Sequence, residues 1–190
     1  MFSVQRLFIL IAGMPGSGKS LVVQVARELG LSVYNMGDVV REETLKRYGQ
    51  ITHDLMVNVS RVLRIERGDE IIALKTIERI HSDEKIVVVD GVRSLKEVEV
   101  FRRHGDTVIV AVHASPRARF KRLLARKRPG DPESYEEFAR RDLTELSFGL
   151  GDVIALADYM VVNEGTIEEA LSKARNILLG LVREHGGNTG

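Results

Sequence analysis

The 190-residue chain contains no cysteine. That single absence removes disulfides, thiolate metal sites and thiol catalysis together, and it fits a reducing, cytoplasmic setting. Nor is there an excess of charge of one sign. Lys+Arg number 28 against 27 Asp+Glu, so the overall balance demands neither a nucleic-acid nor a membrane partner. Aromatic residues make up only 5% of the chain, which argues against extensive base stacking on single-stranded RNA. Long apolar runs are missing as well. Leu7-Phe8-Ile9-Leu10-Ile11 is too short to span a bilayer and leads into a glycine-rich turn instead of a small-residue cleavage site, so it reads as a core strand.

That turn is the strongest feature present. Gly13-Met14-Pro15-Gly16-Ser17-Gly18-Lys19-Ser20 fits G-x-x-x-x-G-K-[ST], and it lies between an apolar run and the helical stripe Leu21, Val22, Val25, Ala26, Leu29. Strand, loop and helix follow in the order the motif needs. Glycines at 13, 16 and 18 let the backbone wrap closely and aim its N–H groups inward, while the helix N-terminus adds partial positive charge. Lys19 then reaches the β and γ phosphates of ATP, and Ser20 has the hydroxyl that coordinates magnesium in such loops. A merely structural glycine turn accounts for the glycines but not for the Lys-Ser pair.

Five apolar segments, 6–11, 32–35, 85–89, 107–113 and 158–162, predict parallel strands covered on both faces. Helical patterns lie between them, several opened by S/T-x-x-E boxes: Ser94 with Glu97, Ser134 with Glu137, Thr166 with Glu169. One domain over 1–185 is expected, with core segments 1–35, 85–125 and 142–185 and a disordered tail at 186–190. Two intervals exceed a simple crossover. The first, 36–84, predicts two or three helices broken near Gly49 and Gly68; the second is the breaker-rich loop Arg126-Lys127-Arg128-Pro129-Gly130-Asp131-Pro132. Both are expected at the carboxyl ends of the strands, where ligands of such sheets bind. The segment 115–141 also carries nine cations against four acids and reads as anion-facing, or alternatively as a solvated helix face.

Asp90, directly after Ile86-Val87-Val88-Val89, is placed to serve a magnesium shell through a metal-bound water. Gly91 follows it, where hydrolysing motor ATPases place a water-activating glutamate, and no N-K-x-D guanine-reading segment exists. Transfer to a bound acceptor is therefore favoured over hydrolysis. Arg41, one helical turn beyond Asp38, and Arg93, shortly after Asp90, offer guanidinium forks suited to a phosphate monoester. Arg41 could equally be a surface residue, and Asp38 a helix N-cap. No histidine pair has metal-ligand spacing, so no tightly held metal is expected beyond magnesium carried with nucleotide.

Met36-Gly37-Asp38-Val39-Val40-Arg41 resembles the G-D-x-x-R element of nucleoside-monophosphate kinases, and Asp90-Gly91-Val92-Arg93 resembles the D-G-x-P-R element of adenylate kinases shortened by one residue. Across almost the whole chain, including Val112-His113-Ala114-Ser115-Pro116, Ser147-Phe148-Gly149-Leu150-Gly151-Asp152 and Ala157-Asp158-Tyr159, the sequence is similar to an uncharacterised archaeal ATP-binding family described as adenylate-kinase-related. The resemblance implies a three-layer α/β/α P-loop kinase fold with a five-stranded parallel sheet in the order 2-3-1-4-5, a helical acceptor-binding insertion at 36–84 and a short Arg-rich lid at 126–141. By the same resemblance, Gly37, Asp38, Arg41 and Arg93 hold the acceptor, Lys19 and Arg126 contact the transferring phosphate, Arg122 and Asn163 lie on the nucleotide side, and Arg140 or Arg141 completes the lid. Glu97 stands where adenylate kinases carry a glutamine that reads the adenine edge, with its role in the Ser94 cap as the alternative. The lid interval is short and has no cysteine, so a zinc-bearing lid is excluded.

The implied reaction is transfer of the ATP γ-phosphate to a nucleoside monophosphate, AMP-like, with magnesium. Two other readings stay open. Ala157 to Gly165 resembles the last strand and adenine-side loop of dephospho-coenzyme A kinases, whose hydroxyl acceptor needs a base that Asp38 could supply. Alternatively, ATP operates a switch in an RNA or assembly factor, whose nucleic-acid affinity would fall steeply with salt.

Overall fold

The computed structural model describes residues 6–128 and 130–187. Five strands, β1 (Leu7–Ala12), β2 (Ser32–Asn35), β3 (Ile86–Asp90), β4 (Asp106–His113) and β5 (Tyr159–Val162), form one parallel sheet in the order β2-β3-β1-β4-β5. Each lies within about two residues of its expected bounds. Alternate residues of β1 show why the sheet must be covered twice. Phe8, Leu10 and Ala12 belong to one apolar cluster and Leu7, Ile9 and Ile11 to the other, all of them buried. Each large side chain so buried contributes roughly 1.5–3 kcal/mol, and β3 and β4 also place residues in both clusters.

Helices α1 (Lys19–Glu28) and α9 (Ile167–Gly187) cover the second cluster. On the opposite face lie α2 (Met36–Tyr48), α3 (His53–Arg67), α4 (Ile71–Ile77), α5 (Leu95–Arg102) and α8 (Leu150–Ala155). Two further helices, α6 (Pro116–Arg126) and α7 (Tyr135–Ser147), flank the breaker-rich loop, of which Pro129 lies outside the described residues. The insertion breaks where glycine was expected to break it. Gly49 ends α2 and Gly68 ends α3, both at positive φ (68° and 91°).

Three local expectations need correction. Asp38 is not the N-cap of α2: Asn35 is, its side chain accepting from the Gly37 N–H at 2.7 Å, because β2 passes into α2 without a turn. The Ser94 and Ser134 hydroxyls cap α5 and α7 as expected, but Glu97 and Glu137 accept from the N–H of Arg93 and of Glu133, one residue before the cap; only Thr166 and Glu169 close the reciprocal box. The tail expected to be disordered from 186 is helical at Gly186 and Gly187, which continue α9, while 188–190 lie outside the described residues. Among the described residues, no helix is long and apolar enough to cross a membrane.

Candidate active site

The glycine loop joins β1 to α1 at the carboxyl edge of the sheet, and its shape explains its glycines at two positions. Gly13, at φ 156°, leaves no room for a Cβ, which would stand 2.5 Å from the Val112 carbonyl and 2.7 Å from Ser17 Oγ. Gly18 begins α1 in the left-handed region at φ 101°, where a Cβ would collide with the Asn163 amide nitrogen. That amide is itself fixed, donating to the Ser17 carbonyl at 2.8 Å while the Asn163 carbonyl accepts from Arg122 Nη2 at 2.8 Å. Gly18→Ala is therefore expected to cost about 1–3 kcal/mol of stability through strain and collision and to weaken ATP binding at least about tenfold, one factor of ten being 1.4 kcal/mol. Calorimetric titration beside thermal denaturation separates the two losses.

Lys19 folds back over the loop, its Nζ donating to the Gly13 carbonyl at 2.6 Å. Desolvation lowers its pKa, opposed chiefly by the negative charge of Asp90. Asp90 ends β3 in register with Ile11 of β1 and Asn35 of β2, and Asn35 Nδ2 donates to its Oδ2 at 3.1 Å. Burial pushes this carboxyl above the usual carboxylate range, with Lys19 and Arg93 pulling it back. Gly16, Gly18, Lys19, Ser20, Asp90, Arg122 and Arg126 all line a cavity of about 480 Å3 beside the loop. Among the described residues, four buried side-chain polar atoms lack a partner; two of them, Asp90 Oδ1 and Arg122 Nη1, belong to residues that line this cavity, and a third, Ser17 Oγ, belongs to the glycine loop itself. Buried groups of this kind are normally satisfied. The residues present thus fit a polyphosphate and its metal.

A second cavity, of about 150 Å3, is lined by Lys19 and Asp90 as well, together with Gly37, Arg93, Glu97 and Arg64. Glu97 is fully buried; Arg64 Nη2 meets its Oε1 at 2.6 Å and the Arg93 N–H donates to its Oε2 at 2.8 Å. Arg93 pairs through Nε with Glu145 of α7 at 2.8 Å. Arg41 is placed differently. It pairs with Asp38 at 2.5 Å, both side chains half-exposed, and lines a separate groove of about 720 Å3 with His53 and Arg141. The structure therefore does not bring Arg41 and Arg93 into one cavity. Arg93, Arg126, Arg140 and Arg141 instead share a cavity of about 400 Å3 beneath the breaker-rich loop, where Arg126 forks onto Asp131 and Arg141 pairs with Glu137.

Comparison with known proteins places this site in a family. The chain is 60% identical over 181 residues to a UPF0200 protein of Staphylothermus marinus, covering 95% of this chain and 96% of that one. This protein belongs to the UPF0200 family. Residues 12–139 also match the family described as AAA domain. Among solved structures, TT1252 from Thermus thermophilus aligns with TM-score 0.65 at 20% identity, covering 94% of this chain and 98% of that one. Shikimate kinase from Bacteroides thetaiotaomicron aligns with TM-score 0.60 at 18% identity, covering 91% and 98%. The fold of this UPF0200 protein is thus related to P-loop kinase-like folds.

Two arginines of the UPF0200 chain carry structure that no sequence pattern singled out. Arg119, counted above within an anion-facing run, is buried: its guanidinium forks onto Asp142, with one contact of 2.8 Å, donates to the Pro15 carbonyl at 3.2 Å and to the Ala114 carbonyl at 3.1 Å, and lies over the Phe138 ring. It ties the glycine loop to α7. Arg64 lies over the Phe148 ring with its centre 4.8 Å from the centroid, and its partner Glu97 is distant in sequence. Neither pairing has a local signal, because each joins residues on separate helices.

Proposed function

We propose that this protein is an ATP-dependent phosphotransferase that moves the γ-phosphate to the phosphate of a nucleoside monophosphate. The observation that carries the reading is that Lys19 and Asp90 line both cavities. One group held in the glycine loop and one held beside Arg93 would therefore meet at a single cation–carboxylate pair. An oxygen of the acceptor phosphate bonds to the γ-phosphorus as the bond from that phosphorus to the β–γ bridging oxygen breaks, and ADP leaves. No protein base is required, since the acceptor is already ionised. Lys19 Nζ gives up the Gly13 carbonyl to stabilise the transferring group, and Arg126 joins it by leaving Asp131. Ser20 and Asp90, the latter through water, are the residues that would hold magnesium carried in with ATP, which would supply neutralisation of the phosphate charge.

Arg93 is placed to hold the acceptor phosphate, with Gly37 at the same cavity wall, while Arg41 would join it only by leaving Asp38. Arg122 and Asn163 would bound the adenine side of the bound ATP. Movement of the 126–141 segment would bring Arg141 toward the reacting groups and exclude water.

The test is a transfer screen with ATP and magnesium against common nucleoside monophosphates and dephospho-coenzyme A, with Lys19→Ala as the blank. ADP formation above that blank with a monophosphate supports the reading; if no acceptor raises it, a nucleotide-operated switch replaces the kinase. Asp38→Asn distinguishes acceptor types. Transfer to a phosphate is expected to fall only a few-fold, whereas transfer to a hydroxyl that needs Asp38 as base would drop by about 100-fold or more.

A further inference from the structure

Five cations line the cavity beside the glycine loop: Lys19, Arg27, Arg122, Arg126 and Arg128. Three of them are already engaged. Lys19 donates to the Gly13 carbonyl, Arg122 to the Asn163 carbonyl, and Arg126 forks onto Asp131 through Nε, at 2.9 Å, and Nη2. Asp131 is committed in return, since the hydrogen bond from Arg126 holds its carboxyl below the usual carboxylate range. Among the described residues, the guanidinium groups of Arg27 and Arg128 have no hydrogen-bond or ion-pair partner. Their places differ. Arg27 lies on α1 two turns beyond Ser20, about 10 Å along the axis from the loop. Arg128 also lines the cavity of about 400 Å3 that holds Arg93, and only Leu123 and Arg126 share with it a place in both cavities. It is therefore on the side from which an acceptor held by Arg93 would approach the terminal phosphate.

The backbone that carries Arg128 is held. Lys127 ends α6 at φ 49°, the only non-glycine residue with positive φ among the described ones, and the Arg128 N–H donates to Asp131 Oδ2 at 2.9 Å. A conformation that side chains rarely adopt persists where its surroundings enforce it. Asp131 does so by accepting from Arg126 before the turn and from Arg128 after it. The Arg128 side chain, by contrast, is exposed and lines an outer groove with Leu124 and Lys127 as well, so it stands at the mouth of the site. It can take up a phosphate without breaking a contact, whereas Arg126 has first to leave Asp131.

We infer that Arg128 is a phosphate-contacting residue of the nucleotide site, its guanidinium engaging the terminal phosphate of ATP on binding, before Arg126 exchanges Asp131 for the transferring group. The inference rests on ATP docking in the glycine loop, the first part of the reading above, and not on transfer to an acceptor. Calorimetric titration of the full chain with magnesium and either ATP or ADP tests it. Arg128→Met is expected to raise the Kd for ATP about tenfold or more, the scale of a hydrogen bond to a charged group, and that for ADP by no more than about twofold. Arg128→Lys should recover part of the loss, since a point charge still attracts the phosphate but cannot fork onto it. Arg117→Met is the control for overall charge. Arg117 is exposed on α6 and lines neither cavity, so its loss should leave both affinities within about twofold. Thermal denaturation checks folding. Arg128→Met is expected to melt with the wild type, because no side-chain contact is lost, and Arg128→Gln replaces it should it melt early. ATP bound by the folded variant as tightly as by the wild type overturns the inference. So does an equal loss for ATP and ADP, or a loss that Arg117→Met reproduces. A wild-type chain that binds neither nucleotide overturns it together with the phosphotransferase reading. An ATP-selective loss in Arg128→Met, with no phosphoryl transfer to any acceptor, leaves the inference standing and removes the kinase reading instead.

Discussion

Replacing Lys19 by alanine is expected to lower kcat for ADP formation by about 100- to 1000-fold, the loss seen when one preorganised donor to developing charge is removed. The ammonium is the cation that lines both cavities, already held at the loop by the Gly13 carbonyl. Burial beside Asp90 makes its charge more costly to maintain than on the surface, so the site holds it where a polyphosphate would benefit most. Lys19→Arg is expected to recover little, because a planar fork cannot take the place of a compact ammonium among closely wrapped backbone groups. Steady-state kinetics with the preferred acceptor checks both variants. A Lys19→Ala protein retaining more than about a tenth of wild-type kcat would mean that phosphate transfer does not run through this loop.

The largest stability loss is expected from Arg64→Met. The substitution leaves the Glu97 carboxylate, which is 0% exposed, without its charged partner, and breaking such a pair typically costs about 3–5 kcal/mol. For a chain of this size that corresponds to a fall in Tm of roughly 10 °C or more. The contact over Phe148 is lost as well. Arg64→Met/Glu97→Met should regain most of the loss, since replacing both partners by apolar groups of similar volume removes the stranded charge. Denaturant unfolding of the two single variants and the double one measures the coupling. If Arg64→Met unfolds at the wild-type midpoint, water reaches Glu97 and the pair is not a buried one.

The contrast between these two residues shows where the chain was readable. Lys19 is legible in the sequence because its setting depends on neighbours within eight positions: glycines that free the backbone, a strand before and a helix after. Gly49 and Gly68 are legible for the same reason, each ending a helix at a positive φ that glycine adopts freely. Asp90 was found because a carboxylate directly after Ile86-Val87-Val88-Val89 departs from an apolar run. Arg64, Arg119 and Glu145 gave no such signal. Their partners Glu97, Asp142 and Arg93 lie on other elements, and a basic run reads alike whether its members face solvent or a buried carboxylate. Arg41 illustrates the converse. Its spacing from Asp38 identifies a real pairing, yet Arg41 lines the groove with His53 and Arg141 and not the cavity that Lys19, Asp90 and Arg93 line.

Local order therefore determined the glycine loop, the alternation of strand and helix, and the breaks in the insertion, because each follows from backbone freedom and apolar periodicity over a few residues. Tertiary structure alone decided that Lys19 and Asp90 line two cavities and that Arg119 is buried. It also decided that a donor from α3, Arg64, meets a buried acceptor from α5, Glu97. Those facts depend on which side chains are brought together and removed from water, and a buried charge finds its partner through packing across the fold.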